Sequence, residues 1–223
     1  MLHMEKMIKQ VEEWEFLKTL PKTFASFTLL IALEKRDTQF LIFSYQDTDA
    51  HRCFSVLYDQ ATKEYFARTT IGLLEYFDVN FIVQDIQALE MVLVQRLEVV
   101  LAGLSTFIRE DVDSIVHDKK IMNWLYQDVL PRHLWGFELF IRPDEPVRGI
   151  NGSYTIIDYS DFETKSSLAI YYNIFRDEFF GETRIKGTPT MIAAFDTKDL
   201  EELKKLVANQ LADELQKIRM QLA

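Results

Sequence analysis

One short segment combines acidic side chains with a histidine at a spacing that suits metal binding. It contains Glu110, Asp111, Asp113, His117 and Asp118. On a helix, Asp113 and His117 would share one face and present a carboxylate oxygen and an imidazole nitrogen to a cation. An acidic first turn that complements the dipole of a linker helix explains the same residues without a metal. We favour the second explanation and predict no metal site.

The single cysteine, Cys53, would need a neighbouring base to act as a nucleophile, and His51 is the nearest histidine in sequence. A lone cysteine in a predicted strand is more often a small buried hydrophobe. The sequence has no glycine-rich phosphate loop, no nucleophile elbow and no H-E-x-x-H motif. We therefore predict no catalytic residue and no cofactor, and we lean toward a protein that is not an enzyme.

Aromatic residues are abundant, with 17 Phe, 9 Tyr and 3 Trp. Several of them fall in two neighbouring predicted strands, where side chains alternate between the faces of the sheet. Rings on both faces imply that some meet another layer, a ligand or a partner. The candidate ligand or partner surface comprises Asp47, Asp161, Tyr154, Tyr159, Tyr171 and Phe175.

Composition and charge narrow the classes of protein. Apolar residues make up 48% and charged residues 27% of the 223 residues, which is typical of a globular protein. The formal net charge of −10 opposes binding to phosphate backbones, so we expect no nucleic-acid partner and no membrane partner. A single cysteine forms no internal disulfide, and the N-terminal residues lack the pattern of a secretory signal. We expect a cytoplasmic location.

The sequence repeats itself at an offset of 114 residues. Ile42 aligns with Ile156, Tyr45 with Tyr159 and Phe81 with Phe195 at this offset, and the segments 84–104 and 198–218 align as one helix. Upstream of 142 the offset is 110, which aligns Trp14 with Trp124 and Pro21 with Pro131. We interpret the chain as a tandem duplication. The predicted domains are a first repeat at 1–104, a crossover or linker helix at 105–118 and a second repeat at 119–223.

Hydrophobic periodicity predicts an opening amphipathic helix, four or five antiparallel strands and a long helix in each repeat. The first strand of the first repeat is expected at 24–33, and the last strands are expected at 79–83 and 191–195. The fold class is therefore α+β, a tandem duplication with a four-to-five-stranded antiparallel sheet per repeat and a pseudo-twofold between repeats. This order, given twice, resembles in architecture single-strand-binding proteins of the Whirly and PUR type and TATA-binding proteins. The resemblance extends to architecture alone.

The two long helices differ in the width of their apolar surface. The helix at 198–218 has one apolar stripe, whereas Met91, Val94 and Val99 widen the stripe of the helix at 84–104. Burial against the other half or the linker helix is the favoured explanation. Self-association or binding of a protein partner through the helix 84–104 face is the alternative.

Three functions remain open. The first is a non-enzymatic binding or assembly module that uses its sheet faces or the cleft between repeats. The second is an enzyme or small-ligand binder with a site between the repeats, where Asp47 and Asp161, or Glu64 and Glu178, would face each other. The third is a single-strand nucleic-acid binder. We favour the first, because catalytic motifs are missing and aromatic residues are in surplus.

Overall fold

The computed structural model of the protein describes residues 2–149 and 151–222 and divides into two compact units, Met1–Phe107 and Ile108–Ala223. Each unit is α+β, with one antiparallel sheet and a long helix at its C-terminal end. The α+β class with antiparallel sheets is confirmed. The sheets have six and seven strands, however, and not the four or five that the sequence pattern predicts.

The first unit contains three helices, α1 (Leu2–Glu12), α2 (Phe16–Thr19) and α3 (Ile86–Ser105). Its sheet is a meander in which each strand pairs with the next one along the chain. The strands are β1 (Thr23–Phe24), β2 (Phe27–Arg36), β3 (Gln39–Asp47), β4 (Arg52–Asp59), β5 (Glu64–Ile71) and β6 (Leu74–Val83).

The second unit begins with short helical segments, a 3-10 turn at Arg109–Asp111, α4 (Ser114–Asp118) and a 3-10 turn at Ile121–Asn123, and it ends with α5 (Leu200–Leu222). Its sheet has the order β13-β12-β11-β10-β8-β7, and β9 pairs with β10 beside this path. The strands are β7 (His133–Leu134), β8 (Phe137–Ile141), β9 (Val147–Arg148), β10 (Ser153–Asp161), β11 (Ser166–Asn173), β12 (Glu178–Ile185) and β13 (Thr188–Thr197).

The strands differ from the predicted ones at the start and at the end of each sheet. The predicted strand at 24–33 is interrupted at Ala25, whose φ of 49° turns the chain between β1 and β2. Trp135, with φ of 53°, makes the same turn between β7 and β8. Left-handed backbone at a non-glycine residue is uncommon, so residue type did not mark either turn. The last strands, β6 and β13, also begin earlier than the sequence predicts.

A tyrosine secures the start of each sheet. The Tyr45 hydroxyl donates to the Pro21 carbonyl at 2.7 Å, and the Tyr159 hydroxyl donates to the Pro131 carbonyl at 2.6 Å. Both rings are fully buried, so the hydrogen bond satisfies a hydroxyl that burial would otherwise leave unpaired.

The core of each unit lies between one face of the sheet and the long helix. In α3 the buried stripe is Ile86, Leu89, Leu93, Leu97, Leu101 and Leu104. In α5 it is Leu200, Leu203, Val207, Leu211, Leu215 and Ile218. An aspartate caps each helix, because Asp85 accepts from the Ala88 N–H and Asp199 from the Glu202 N–H, both at 2.8 Å. In the part of the chain that the structure describes, no helix has the length and apolarity needed to cross a membrane.

A large bulge interrupts the last strand pair of each sheet. In β13, residues 193–196 lie between two consecutive pairings, Gly181 with Ile192 and Phe179 with Thr197, so four residues stand opposite Phe180 alone. Residues 79–82 of β6 do the same opposite Phe66. The bulges carry Phe81 and Phe195, both fully buried, into the two cores.

Gly181 is the residue that gives Phe195 its space. A Cβ added at Gly181 would lie 2.8 Å from Cδ2 of Phe195 and 2.9 Å from Cγ1 of Ile192. We expect Gly181→Ala to lower the free energy of unfolding by about 1–3 kcal/mol through overpacking. The first unit has Ala67 at the aligned position, so Ala67→Gly is the matched control and should cost only the backbone entropy of glycine. Urea denaturation of both variants measures the difference, and an unchanged midpoint for Gly181→Ala would contradict this account.

Candidate binding groove

The outer face of β12, opposite α5, carries a symmetric row of side chains. Arg176, just before the strand, is followed at alternate positions by Glu178, Phe180, Glu182 and Arg184. Nε of Arg176 lies 3.0 Å from Oε1 of Glu178, and Nη2 of Arg184 lies 3.4 Å from Oε1 of Glu182. An ion pair therefore stands on either side of one phenylalanine ring.

Stacked groups support the Phe180 ring. The Tyr171 ring on β11 lies 5.0 Å from it, centroid to centroid, at an interplanar angle of 18°. The Arg176 guanidinium lies 5.7 Å from the centroid of the Phe180 ring. Aromatic stacking and cation–π contacts fix the orientation of the ring, so Phe180 forms a preorganised apolar platform.

The β13 bulge opens a groove of about 510 Å³ beside this platform. Its walls combine apolar and charged side chains: Met191, Ile192 and Ala193 on β13, Arg176 and Glu178 beside Phe180, and Asp196, Thr197 and Lys198 before α5. The two cationic and two anionic residues balance, so the groove is close to neutral. Neutral apolar walls with charged residues at the margins are typical of sites that bind small molecules or peptide segments.

In the first unit a ring occupies the corresponding place. Phe66, aligned with Phe180, packs edge-to-face against Phe77 at 5.1 Å and is only 8% exposed. Phe77 pairs with Arg68 across β5 and β6, and Met191 pairs with Glu182 across β12 and β13. Met191 therefore holds the register position of Phe77, but it is 57% exposed and leaves Phe180 partly uncovered.

A buried carboxyl lies on the same face of the second sheet. Asp158 on β10 is 1% exposed, and its Oδ2 accepts from the Ser160 hydroxyl at 2.9 Å. Its Oδ1 is buried without a hydrogen-bond partner among the described residues, as is Nε of Arg184. Burial raises the pKa of Asp158 to about 7, although the Ser160 hydrogen bond and the Arg184 charge lower it. Glu182 adds a smaller increase.

The hydroxyl of Tyr171, whose ring stacks on Phe180, approaches the Glu182 carboxylate. This hydroxyl makes a long contact of 3.5 Å with Oε1 of Glu182. Burial, followed by the charges of Glu182 and Asp158, raises the pKa of the Tyr171 hydroxyl far above its usual range. The hydroxyl therefore stays protonated at any physiological pH and acts as a donor, so it is unsuited to serve as a base.

The other three predicted aromatic residues lie in different environments. Tyr154 is 2% exposed, and its hydroxyl donates to Oδ2 of Asp113 at 2.9 Å. Tyr159 is fully buried in its bond to Pro131, so neither ring is open to a ligand. Phe175 is 79% exposed at the turn between β11 and β12, next to Arg176 at the margin of the groove. Of the predicted rings, Tyr171 stacks on Phe180 and Phe175 directly precedes Arg176, but neither ring lines the groove.

The two predicted aspartates shape hairpin turns. Asp47 accepts from the Ala50 N–H at 3.0 Å, and hydrogen bonding from Ser26 lowers its pKa. Asp161 accepts from the Glu163 and Thr164 N–H groups and lies 3.0 Å from Nη1 of Arg219. Burial opposes ionisation of Asp161, but these hydrogen bonds outweigh it and its pKa is lowered. Turn formation accounts for both carboxylates.

Two further candidates have structural explanations. Asp113, considered for a metal, binds Tyr154 and lies 3.3 Å from Nη2 of Arg148. The described residues include no group of three or more His, Cys, Asp or Glu side chains placed to hold a metal ion. Cys53 lies with its Sγ 3.2 Å from Oγ of Ser55, and burial raises the pKa of its thiol. A raised pKa makes Cys53 a poor nucleophile.

Three apolar side chains widen the surface of α3 in the structure as they do in the sequence. Met91, Val94 and Val99 are 62%, 69% and 72% exposed. Burial of these residues against the other half of the chain stays a prediction.

Sequence reasoning missed the groove. The signal that was available is the row from Arg176 to Arg184, in which charged residues alternate with core residues around Phe180. The row is recognisable as an outer face, but the groove itself depends on the bulge in another strand.

The buried carboxyl of Asp158 predicts a specific pH dependence. Its folded pKa of about 7 exceeds the unfolded value of about 3.9, so the folded state holds the proton more tightly. Its contribution to stability is complete below about pH 3.9 and is lost as the pH rises toward 7. Relative to Asp158→Asn, the wild type should lose up to about 1.4 kcal/mol per pH unit over this interval.

Chemical denaturation of both proteins at several pH values measures that difference. Asp161→Asn is a control of opposite sign, because the lowered pKa of Asp161 contributes stability above its unfolded pKa that is lost as the pH falls. Parallel pH profiles for wild type and Asp158→Asn would contradict the assignment.

Comparisons of this chain with models of protein families, with curated proteins and with solved structures found no match.

Proposed function

We propose that this protein is a non-enzymatic binding module whose groove beside Phe180 receives an extended segment of a protein partner. The observation that carries the proposal is the unfilled position over Phe180. The aligned phenylalanine of the first unit, Phe66, is covered by Phe77 and is only 8% exposed, whereas Phe180, beside the exposed Met191, is partly exposed. A partner's apolar side chain resting on Phe180 would take the place of the missing ring.

The chemistry of the margins favours a peptide over a polyanion. A peptide needs an apolar contact for one side chain and donors and acceptors for its backbone, and the two ion pairs beside Phe180 supply both kinds of group. Arg176 and Lys198 are balanced by Glu178 and Asp196, so no concentrated positive field attracts phosphates. This balance supports the expectation that nucleic acid is not the partner.

We further infer that the two units arose by duplication. Two structural details that occur in both units support a duplication, because two unrelated domains of the same fold class need not share them. Tyr45 and Tyr159 donate to the carbonyls of Pro21 and Pro131, and the four-residue bulges that bury Phe81 and Phe195 occur at aligned positions. The pseudo-twofold between the repeats and the domain boundaries at 104 and 118 stay predictions. Met191 in place of Phe77 would then be a difference acquired by one copy.

Filling the groove should abolish binding. Met191→Phe copies the residue that covers Phe66 in the first unit, so the new ring should pack on Phe180 and exclude a peptide side chain without loss of stability. Peptides selected from a displayed random library by the wild-type protein provide the probe. We expect their dissociation constants to rise at least tenfold for Met191→Phe, which corresponds to about 1.4 kcal/mol, as measured by fluorescence polarisation.

Two variants control this experiment. Met220→Phe adds the same ring at an exposed position on α5 and should leave peptide affinity unchanged. Phe77→Met, the reverse change in the first unit, should uncover Phe66. The proposal fails if no peptide is enriched over the unselected library, or if Met191→Phe binds the selected peptides as tightly as the wild type.

A further inference from the structure

The outer face of α3 differs in chemistry from the outer face of α5. Five residues run along the side of α3 that points away from the sheet: Ala88, Met91, Gln95, Val99 and Ala102. At the aligned positions, 114 residues later, α5 has Glu202, Lys205, Asn209, Asp213 and Gln216. The α5 residues are what a solvated helix face needs, whereas the α3 row contains no charge. We call the five α3 residues the outer row.

The outer row is exposed. Met91 is 62% and Val99 is 72% exposed, and Gln95 and Ala102 are also exposed. A shallow groove borders the row on one flank, lined by Gln87, Glu90 and Val94 together with Met91 and Gln95 of the row. Large exposed apolar side chains that share one surface are typical of an interaction site.

The spacing of the outer row identifies the occupant. Its steps are three, four, four and three residues, so the row reads the same in both directions about Gln95. In an antiparallel pair of such helices with a twofold axis at Gln95, Met91 of each copy lies opposite Val99 of the other, and Ala88 lies opposite Ala102. A twofold interface requires this self-complementarity, since each residue must suit its own symmetry mate. We infer that a second copy of this chain binds the outer row of α3, helix against helix.

Size and charge are compatible with this pairing. Alanines at both ends of the row allow the helices to approach closely, at about 8–10 Å between axes. The nearest charged neighbour of the row, Glu98, would be displaced from its symmetry mate by about 9 Å along the helix axis, which limits their repulsion. The row is only about 21 Å long, so it buries less than the standard interface of about 800 Å² per partner. The expected dimer is therefore weak and depends on concentration.

This inference is independent of the groove beside Phe180, and each can fail without the other. The first test is sedimentation velocity of the wild type over a wide range of protein concentration, compared with the double variant Met91→Lys with Val99→Asp. The two new residues are those that α5 has at the aligned positions Lys205 and Asp213. We expect a monomer–dimer equilibrium for the wild type and a dissociation constant raised at least tenfold in the variant, with an unchanged melting temperature.

The matched control exchanges charges on the other long helix. Lys205→Asp with Asp213→Lys alters exposed residues of α5 to a similar extent and should leave the dimer unchanged. If the α3 variant melts earlier than the wild type, crosslinking decides the matter, because it uses smaller changes.

Crosslinking tests the register directly. In a Cys53→Ala background, Gln95→Cys should form a disulfide-linked dimer, since the twofold axis places the two copies of residue 95 together. Ala88→Cys alone should not, because its symmetry mates lie about 21 Å apart, but a mixture of Ala88→Cys and Ala102→Cys proteins should crosslink. A wild type that is monomeric at all concentrations, a dimer unaffected by the double variant, or crosslinks at residue 88 alone would each overturn the inference.

Discussion

The burial of one phenylalanine from an edge strand constrains each unit. Phe195 comes from β13, the last strand in the order of its sheet, yet the ring must enter the core beside α5. The chain achieves this by inserting four residues opposite Phe180, and Gly181 leaves space for the ring. The same bulge that buries Phe195 on one face of the sheet removes strand pairing next to Phe180 on the other. Because the first unit has the same bulge with Phe77 over Phe66, the groove depends on both the bulge and Met191.

The two units share a fold class but differ at two aligned positions in what covers an aromatic ring. At one aligned position Phe77 covers Phe66, whereas Met191 leaves Phe180 partly exposed. Near the opening of each unit, the Trp14 indole donates to Oε2 of Glu90 at 2.6 Å, whereas Trp124 lies beneath Nζ of Lys204 at 6.0 Å. Glu90 and Lys204 align at the offset of 114 residues. The aligned indoles of Trp14 and Trp124 are both buried, but one makes a hydrogen bond to a carboxylate and the other a cation–π contact with an ammonium group. The charge at this position therefore differs between the units although the tryptophan is the same.

Carboxylates at hairpin turns and a carboxylate inside a sheet meet different environments. Asp47 and Asp161 obtain backbone N–H donors from their own hairpins, so local structure stabilises their charge. Asp158 is fully buried and has one hydroxyl donor, so its charged form is penalised and its pKa rises. Carboxylates that the sequence presents as equivalent thus differ in pKa, first because of burial and then because of the donors that the fold provides.

The sequence alone determined which faces of the strands and helices are buried. The two-residue period of 64–71 and 178–185 puts Tyr65 and Ala67, and likewise Phe179 and Gly181, on one face of each strand, and all four are buried. These features are local, because the two-residue period of a strand and the 3.6-residue period of a helix are written into neighbouring residues. The left-handed turns at Ala25 and Trp135 were not predictable from neighbouring residues, since neither residue type favours that backbone conformation.

Only the tertiary structure decided which apolar and aromatic side chains find a neighbour. Tyr154 on β10 and Phe175 in the turn between β11 and β12 are both aromatic, yet the Asp113 carboxylate accepts from the first and the second is 79% exposed. The bulge in β13 and the exposure of Met91, Val94 and Val99 belong to the same category. Hydrophobicity states the free energy that a side chain would gain on burial, but the surface that provides the burial comes from residues distant in sequence.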